Sequence, residues 1–145
     1  MAPASNTTVL VTGGSGFLGS CCCITLLHAG YQVRTTIRSL SKASATKQTP
    51  KNGGLTNTDL NRLTFIEAIP TMIKAGIRPL QGCTSVLHVA SPIPTAEPKD
   101  VSDLIIPAHE GTLRVLCAAT NAGSVKRDVL TSSFNVSCIR PSRST

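Results

Sequence analysis

Aromatic side chains are scarce in this sequence, which has three phenylalanines, one tyrosine and no tryptophan in 145 residues. Single-stranded nucleic acids are held by stacking on aromatic faces as well as by charge. No aromatic residue is interleaved with the basic ones here, so no nucleic-acid partner is expected. No apolar run approaches the ~18 residues that a membrane-spanning helix needs, so no membrane partner is expected either. The opening stretch MAPASNTT places no basic residue ahead of an apolar segment. A signal peptide is therefore not expected, and the expected location is the cytoplasm. No CxxC pair occurs among the six cysteines, and His28, His88 and His109 share no ligand spacing, so no metal site is expected. Acid is absent until Asp59, leaving Arg34, Arg38, Lys42, Lys47 and Lys51 unopposed within a net charge of +7.

What is present describes a globular chain, 41% apolar and 14% charged, of a length suited to one domain. The run Cys21-Cys22-Cys23 reads as small apolar filling on one helix face. Residues 8–12 form a short buried strand, followed by glycines and a helix over about 17–29. Gly30 ends that helix, and Tyr31, Val33, Thr35 and Ile37 alternate as a second strand. Residues 39–62 are polar and predict a loop with a weak helix near its start. RLTFIEA is a third strand, the stretch 70–82 is irregular, and TSVLHVAS is a fourth strand. Residues 101–121 predict a helix whose regular part begins near Pro107. RDVLTSS is the fifth strand, and NVSCIRPSRST shows no period. Alternating strands and helices predict βαβ units and a parallel sheet.

The stretch VLVTGGSGFLGS carries Gly13, Gly16 and Gly19 as G-x-x-G-x-x-G between a strand and a helix. In that setting Gly13 makes the tight turn, Gly16 lets backbone approach a pyrophosphate, and Gly19 lets the helix lie close to the strand. The helix N-terminus adds N–H donors and a favourable dipole. No Gly-Lys-Ser/Thr follows, so the loop is not of the Walker type. A site for NAD wants an acid at the end of the second strand. Arg38 stands there instead, and a guanidinium suits the 2′-phosphate that a carboxylate would repel. The expected cofactor is NADP(H) in preference to NAD(H).

VLVTGGSGFLGS, AGYQVRTTIRS, GCTSVLHVASP, EGTLRVL and VLTSSF, in that order, resemble the extended short-chain dehydrogenase/reductases of the NAD-dependent epimerase/dehydratase superfamily. Within them the resemblance is to the branch holding dihydroflavonol reductase, cinnamoyl-CoA reductase and the fungal aldehyde and ketone reductases. It covers residues 8 to about 134 and implies a Rossmann fold and hydride transfer between NADP(H) and a carbonyl. It further implies that Gly13, Gly16, Phe17, Leu18 and Gly19 line the pyrophosphate and that Arg38, with Lys42, meets the 2′-phosphate. By the same resemblance His88, Val89, Ala90 and Ser91 pass under the nicotinamide ribose. Ser133, with Ser132 beside it, matches the serine that hydrogen-bonds the substrate carbonyl.

Three departures stand out. Where the family has an aspartate for adenine after the third strand, this chain reads Ala68-Ile69-Pro70. Asp128 interrupts a fifth strand that is otherwise apolar in the family. The family's Tyr-x-x-x-Lys pair is absent, since the one tyrosine, Tyr31, has Thr35 four residues later. The expectation is an α/β, Rossmann-type, doubly wound parallel sheet in the order 3-2-1-4-5, lacking the C-terminal strands and the substrate lobe. An incomplete dinucleotide-binding domain over 1–134 and an irregular tail over 135–145 are expected. The expected function is the NADP(H)-binding portion of a carbonyl oxidoreductase, catalytically incomplete as this chain. The alternative is a non-catalytic interaction protein that reuses the half-Rossmann fold. A small carbonyl substrate is a partner only if further residues complete the site, and self-association is expected through the exposed edge of the fifth strand.

Overall fold

In the computed structural model of the chain, residues 6–43, 53–67, 78–92 and 100–132 are described. They form strands β1 (Thr8–Val11), β2 (Gln32–Ile37), β3 (Leu63–Glu67), β4 (Ser85–His88) and β5 (Arg127–Leu130). The helices are α1 (Phe17–His28), α2 (Asn57–Leu60) and α3 (Ser102–Ala122), with short 3-10 turns at Leu40–Lys42 and Arg78–Leu80. The five strands make one sheet in the order β3-β2-β1-β4-β5, every neighbouring pair parallel. The parallel sheet predicted from the alternation of elements is therefore observed, in the Rossmann-type order 3-2-1-4-5 that was expected.

Side chains of successive strand residues point to opposite faces, and β1 uses both. Val9 and Val11 enter a core with Val33, Leu63, Cys23, Leu27 and Leu55, which seats α1 on one face of the sheet. Leu10 enters the other core with Val86, Leu80, Cys83, Val115 and Ala119, which seats α3 on the opposite face. All three β1 valine and leucine side chains are buried, as a central parallel strand covered on both faces requires.

The three consecutive cysteines do not share one helix face. Each residue turns the helix by about 100°, so Cys23 is buried, Cys22 lies partly buried at the flank and Cys21 is exposed. Burial pushes the Cys23 thiol up to about 11, which leaves it an inert apolar filler.

Two helical details differ from the sequence expectation. The helix α3 starts at Ser102 and runs through Pro107, where regular helix was expected only from about Pro107 onward. Its start is fixed by a reciprocal cap, in which Ser102 N–H donates to the Asp100 carboxylate and Asp100 N–H donates to the Asp103 carboxylate. Proline then removes a single backbone bond near an exposed helix end. The short helix α2 lies inside the segment expected to be mostly loop. A capping box nucleates it: Asp59 N–H donates to Thr56 Oγ1 while Thr56 N–H donates to the Asp59 carboxylate. Arg62 then donates to Leu27 O, tying this segment to the C-terminal turn of α1, where positive charge complements the helix dipole.

On the outer margin, β5 pairs with β4, and all four of its residues are exposed. Asp128 lies opposite Val86 in this edge position and so escapes the full cost of burying a carboxylate. The stretches 68–70 and 135–145 lie outside the described residues, as do the polar residues 44–52 and Ser133.

What brings α1 onto β1 is Gly19. A Cβ added there would stand 2.2 Å from Gly13 O, a backbone atom with no room to yield. Gly111, buried in α3, has open space where a Cβ would go. Replacing Gly19 by Ala is expected to lower the unfolding free energy by about 1–3 kcal/mol through overpacking. Gly111→Ala is expected to raise it by about 0.5–1 kcal/mol through helix propensity. Urea denaturation of both variants checks the pair of opposite signs.

Candidate functional site

The strand order places β1 between β2 and β4, so the chain leaves β1 in one direction and returns on its other side. Ligand crevices in open parallel sheets form at such a switch point, outside the C-terminal ends of the strands. Here that position is occupied by the turn 12–16 after β1 and the segment 89–91 after β4. The two meet closely: a Cβ on Gly13 would lie 3.1 Å from Ala90 Cβ, and Gly13 has φ +74°. Only a glycine holds this backbone conformation and this approach without strain.

The turn is braced from β2. Gly13 N–H donates to Thr36 Oγ1 at 3.0 Å, and Gly14 N–H donates to Thr36 O at 3.1 Å. Gly16 N–H closes the turn on Gly13 O at 2.9 Å. Thr35, fully buried, donates to Val11 O at 2.8 Å and fills the space where a Gly14 side chain would stand. Gly14 therefore packs as tightly as the three glycines singled out from spacing, and the buried Thr35 beside it explains why.

With those amides committed to the turn, the first turn of α1 faces outward. Its N-cap is Gly16, which supplies no capping side chain, and no acid lies in the first turn. Phe17 is 89% exposed and Leu18 is also exposed, whereas Gly19 is buried against Gly13. An uncapped helix start presents N–H groups and the positive end of the dipole to solvent. The arrangement can accept an anion at the switch point, and a cradle that a Cβ would fill leaves backbone free to approach it.

Arg38 is exposed on the bend that follows β2. Ser39 starts the next 3-10 turn, accepting from Ser41 N–H, and Lys42 ends that turn. Nothing is described of the Lys42 side chain. Arg34, one of the five unopposed basic residues, is spent elsewhere: its guanidinium donates to Pro79 O at 2.9 Å and Gln81 O at 2.8 Å and reaches Cys83 Sγ. It thereby holds the segment preceding β4 against β2.

At the end of β4, Thr12 Oγ1 accepts from Val89 N–H and Ala90 N–H, both at 3.0 Å, and lies 2.8 Å from His88 Nδ1. Burial holds the His88 imidazole below its ordinary pKa, while the nearby Asp128 pulls in the other direction. Desolvation raises the Asp128 carboxyl, and His88 opposes that rise. Thr131 links β5 to this point, its N–H and hydroxyl both donating to His88 O. Ser91 and Ser132 are exposed near these strand ends, and Ser133 lies outside the described residues. The geometry thus brings Gly13, Gly16, Gly19, Val89 and Ala90 to one crevice, with Phe17 and Leu18 at its helix wall. Thr12, Gly14, Thr35 and Thr36 were not singled out from the sequence. A threonine directly before a glycine turn was the available signal for Thr12. Thr35 and Thr36 carried none beyond the strand alternation.

Among the described residues no group of three His, Cys, Asp or Glu side chains is placed to hold a metal ion, and no helix is long and apolar enough to cross a membrane.

Comparison with known proteins agrees with this architecture. The chain is 38% identical over 126 residues to dihydroflavonol 4-reductase of Zea mays, covering 87% of this chain and 34% of that protein. It is 36% identical over 131 residues to a (2S)-flavan-3-ol-forming anthocyanidin reductase of Vitis vinifera, covering 90% and 37%. Among solved structures it superposes on Gre2 of Candida albicans in complex with NADPH with a TM-score of 0.74 at 29% identity, covering 88% of this chain and 37% of that one. Vestitone reductase of alfalfa (Medicago sativa L.) gives 0.65 at 33% identity, covering 88% and 36%. The chain spans about a third of the length of the curated relatives it matches. The sequence profile of the NAD dependent epimerase/dehydratase family matches residues 9–142. With strand order, glycine turn and sequence in agreement from β1 to β5, the chain belongs to the NAD dependent epimerase/dehydratase family.

Proposed function

We propose that this chain is the NADP(H)-binding portion of a reductase acting on small carbonyl compounds, and that it lacks the groups needed to complete the reaction. The observation that carries the proposal is the uncapped N-terminus of α1 behind the Gly13 turn, with Arg38 and no acid at the end of β2. Backbone N–H groups at Phe17 and Leu18 would hold the pyrophosphate. Gly13 and Gly16 would keep side chains out of its way. Arg38, with Lys42, would bind the 2′-phosphate by charge-assisted hydrogen bonds. Support for the cofactor class comes from similarity to Gre2, whose solved structure is an NADPH complex.

When bound, the reduced dinucleotide supplies the hydride. The chain's own residues would position it: the 89–91 segment would bound the crevice on the β4 side, and Ser91 would stand near the ribose. Ser133, with Ser132 beside it, would orient a carbonyl by hydrogen bonding. A ketone that receives hydride also needs a proton at the developing alkoxide, and general-acid help of this kind contributes about 10²–10⁴-fold. The sequence carries no Tyr-x-x-x-Lys to provide it. An adenine contact from an aspartate after β3 is also missing, because Ile69 stands there.

Two outcomes follow. NADPH is expected to bind more tightly than NADH, and Arg38→Ala is expected to weaken NADPH by about 10- to 150-fold with little change for NADH, the effect of one charged hydrogen bond. Calorimetric titration of both nucleotides against both proteins checks it, and equal affinities in the unsubstituted chain would overturn the NADP assignment. Incubation with NADPH and a panel of aromatic and aliphatic aldehydes is expected to show no loss of NADPH absorbance above background. A turnover abolished by Ser133→Ala would contradict the claim of catalytic incompleteness.

A further inference from the structure

The hydroxyl of Thr12 has one proton to donate and two lone pairs to accept with. Both lone pairs are occupied, by Val89 N–H and Ala90 N–H at 3.0 Å each. Its third neighbour is His88 Nδ1 at 2.8 Å. Hydrogen-bond counting then fixes the roles: Thr12 donates to Nδ1, and the neutral imidazole carries its proton on Nε2. An imidazolium has a proton on both nitrogens and accepts nothing. If His88 took up a proton, Nδ1–H would point at an oxygen with no lone pair left, and one of the two amide bonds would have to be given up. Thr12 is buried, so water does not readily replace the lost partner.

We propose that His88 is a positioning residue whose neutral form orients Thr12 and thereby clips the 89–90 backbone beside the Gly13 turn, making nucleotide binding at this crevice proton-linked. The clip matters to the crevice because Ala90 is the residue against which Gly13 packs. The inference rests on the nucleotide reading given above only in its last step, since the hydrogen-bond arrangement exists without a ligand. The groups facing His88 are Thr12 from the turn after β1, which is uncharged, and Asp128 from β5. The helix α3 brings no charge to it among the described residues. Burial disfavours the imidazolium and Asp128 favours it, with burial the larger effect. A histidine whose folded pKa lies below its unfolded value stabilises the fold fully above the ordinary imidazole range. That contribution is lost as pH falls from about 6.5 toward the lower folded value.

The test uses ¹⁵N-labelled chain and has two independent arms. In the first, without nucleotide, long-range ¹H–¹⁵N spectra are expected to show the Nε2–H form of His88. Amide exchange at Val89 and Ala90, corrected for intrinsic rates, is expected to lose protection as His88 titrates. Asp128→Asn is expected to move that loss to lower pH, by removing the charge that favours the imidazolium. Thr12→Val should leave the two amides unprotected at every pH, and Thr12→Ser should restore them. In the second arm, NADP⁺ affinity is measured from pH 5 to 8 in the unsubstituted chain and in His88→Asn, whose side-chain oxygen accepts but does not titrate. The nucleotide's own phosphate titration is common to both proteins. The unsubstituted chain is expected to lose about five-fold more affinity at the acid end than the variant, the effect of one ordinary hydrogen bond. An Nδ1–H form of neutral His88, or amide protection indifferent to its titration, overturns the clip. Intact first-arm results with equal pH dependence in the two proteins overturn the linkage to binding and leave the clip supported. Intact first-arm results with no NADP⁺ binding at any pH overturn the nucleotide reading itself.

Discussion

Everything at this site depends on the contact between Gly19 and Gly13. Because α1 begins where a side chain at Gly19 would collide with Gly13 O, the helix starts directly behind the turn and points its free N–H groups at the mouth of the switch point. Separating helix and strand by even one methyl group would move that positive end away from the crevice and loosen Leu27 and Cys23 from the valines of β1. The same few atoms therefore set both the packing of one face of the sheet and the electrostatics of the site. Interiors packed to crystal-like density transmit such displacements rather than absorb them.

Four polar side chains around the turn, buried or partly buried, tie together segments distant in sequence, while the buried Ser20 hydroxyl bonds locally to Phe17 O. Thr35 joins β2 to β1, Thr36 joins β2 to the turn, Thr12 joins the turn after β1 to the end of β4, and Arg34 joins β2 to the segment before β4. Among the described residues no buried side-chain nitrogen or oxygen lacks a partner. Satisfied in this way, polar groups fix strand ends that apolar packing alone would leave free to slide.

The five strands and the glycine turn were legible in the sequence because each strand is a short apolar run bounded by breakers and the glycine spacing names its own geometry, whereas the strand order was expected only once the family resemblance was added. Boundaries near proline were less so: the Asp100 and Asp103 carboxylates that start α3 ahead of Pro107 act through a local cap, and periodicity does not register caps. The Thr56–Asp59 box was missed because it lies in a stretch whose polarity argued for a loop. The Thr12–His88 and Arg34–Pro79 bonds were not legible, since they join residues 76 and 45 positions apart. Sequence periodicity carries no information at such a range; only the sheet order brings these residues together. Ser133 and Ile69, where the family resemblance led to expectations of a carbonyl hydrogen bond and of a lost adenine contact, lie outside the described residues.

The exposure of β5 has a consequence for the order in which this sheet comes apart. A parallel strand is held by its ladder on each side and by side chains on each face. The described part of β5 has one ladder, to β4, and no fully buried side chain. β1 has two ladders and three sealed side chains. Cooperative opening proceeds from the units with fewest buried contacts, so among the described strands β5 is held more loosely than β1, beside which the glycine turn sits. The crevice is thus built on a firmly held central strand and not on the loosest one described.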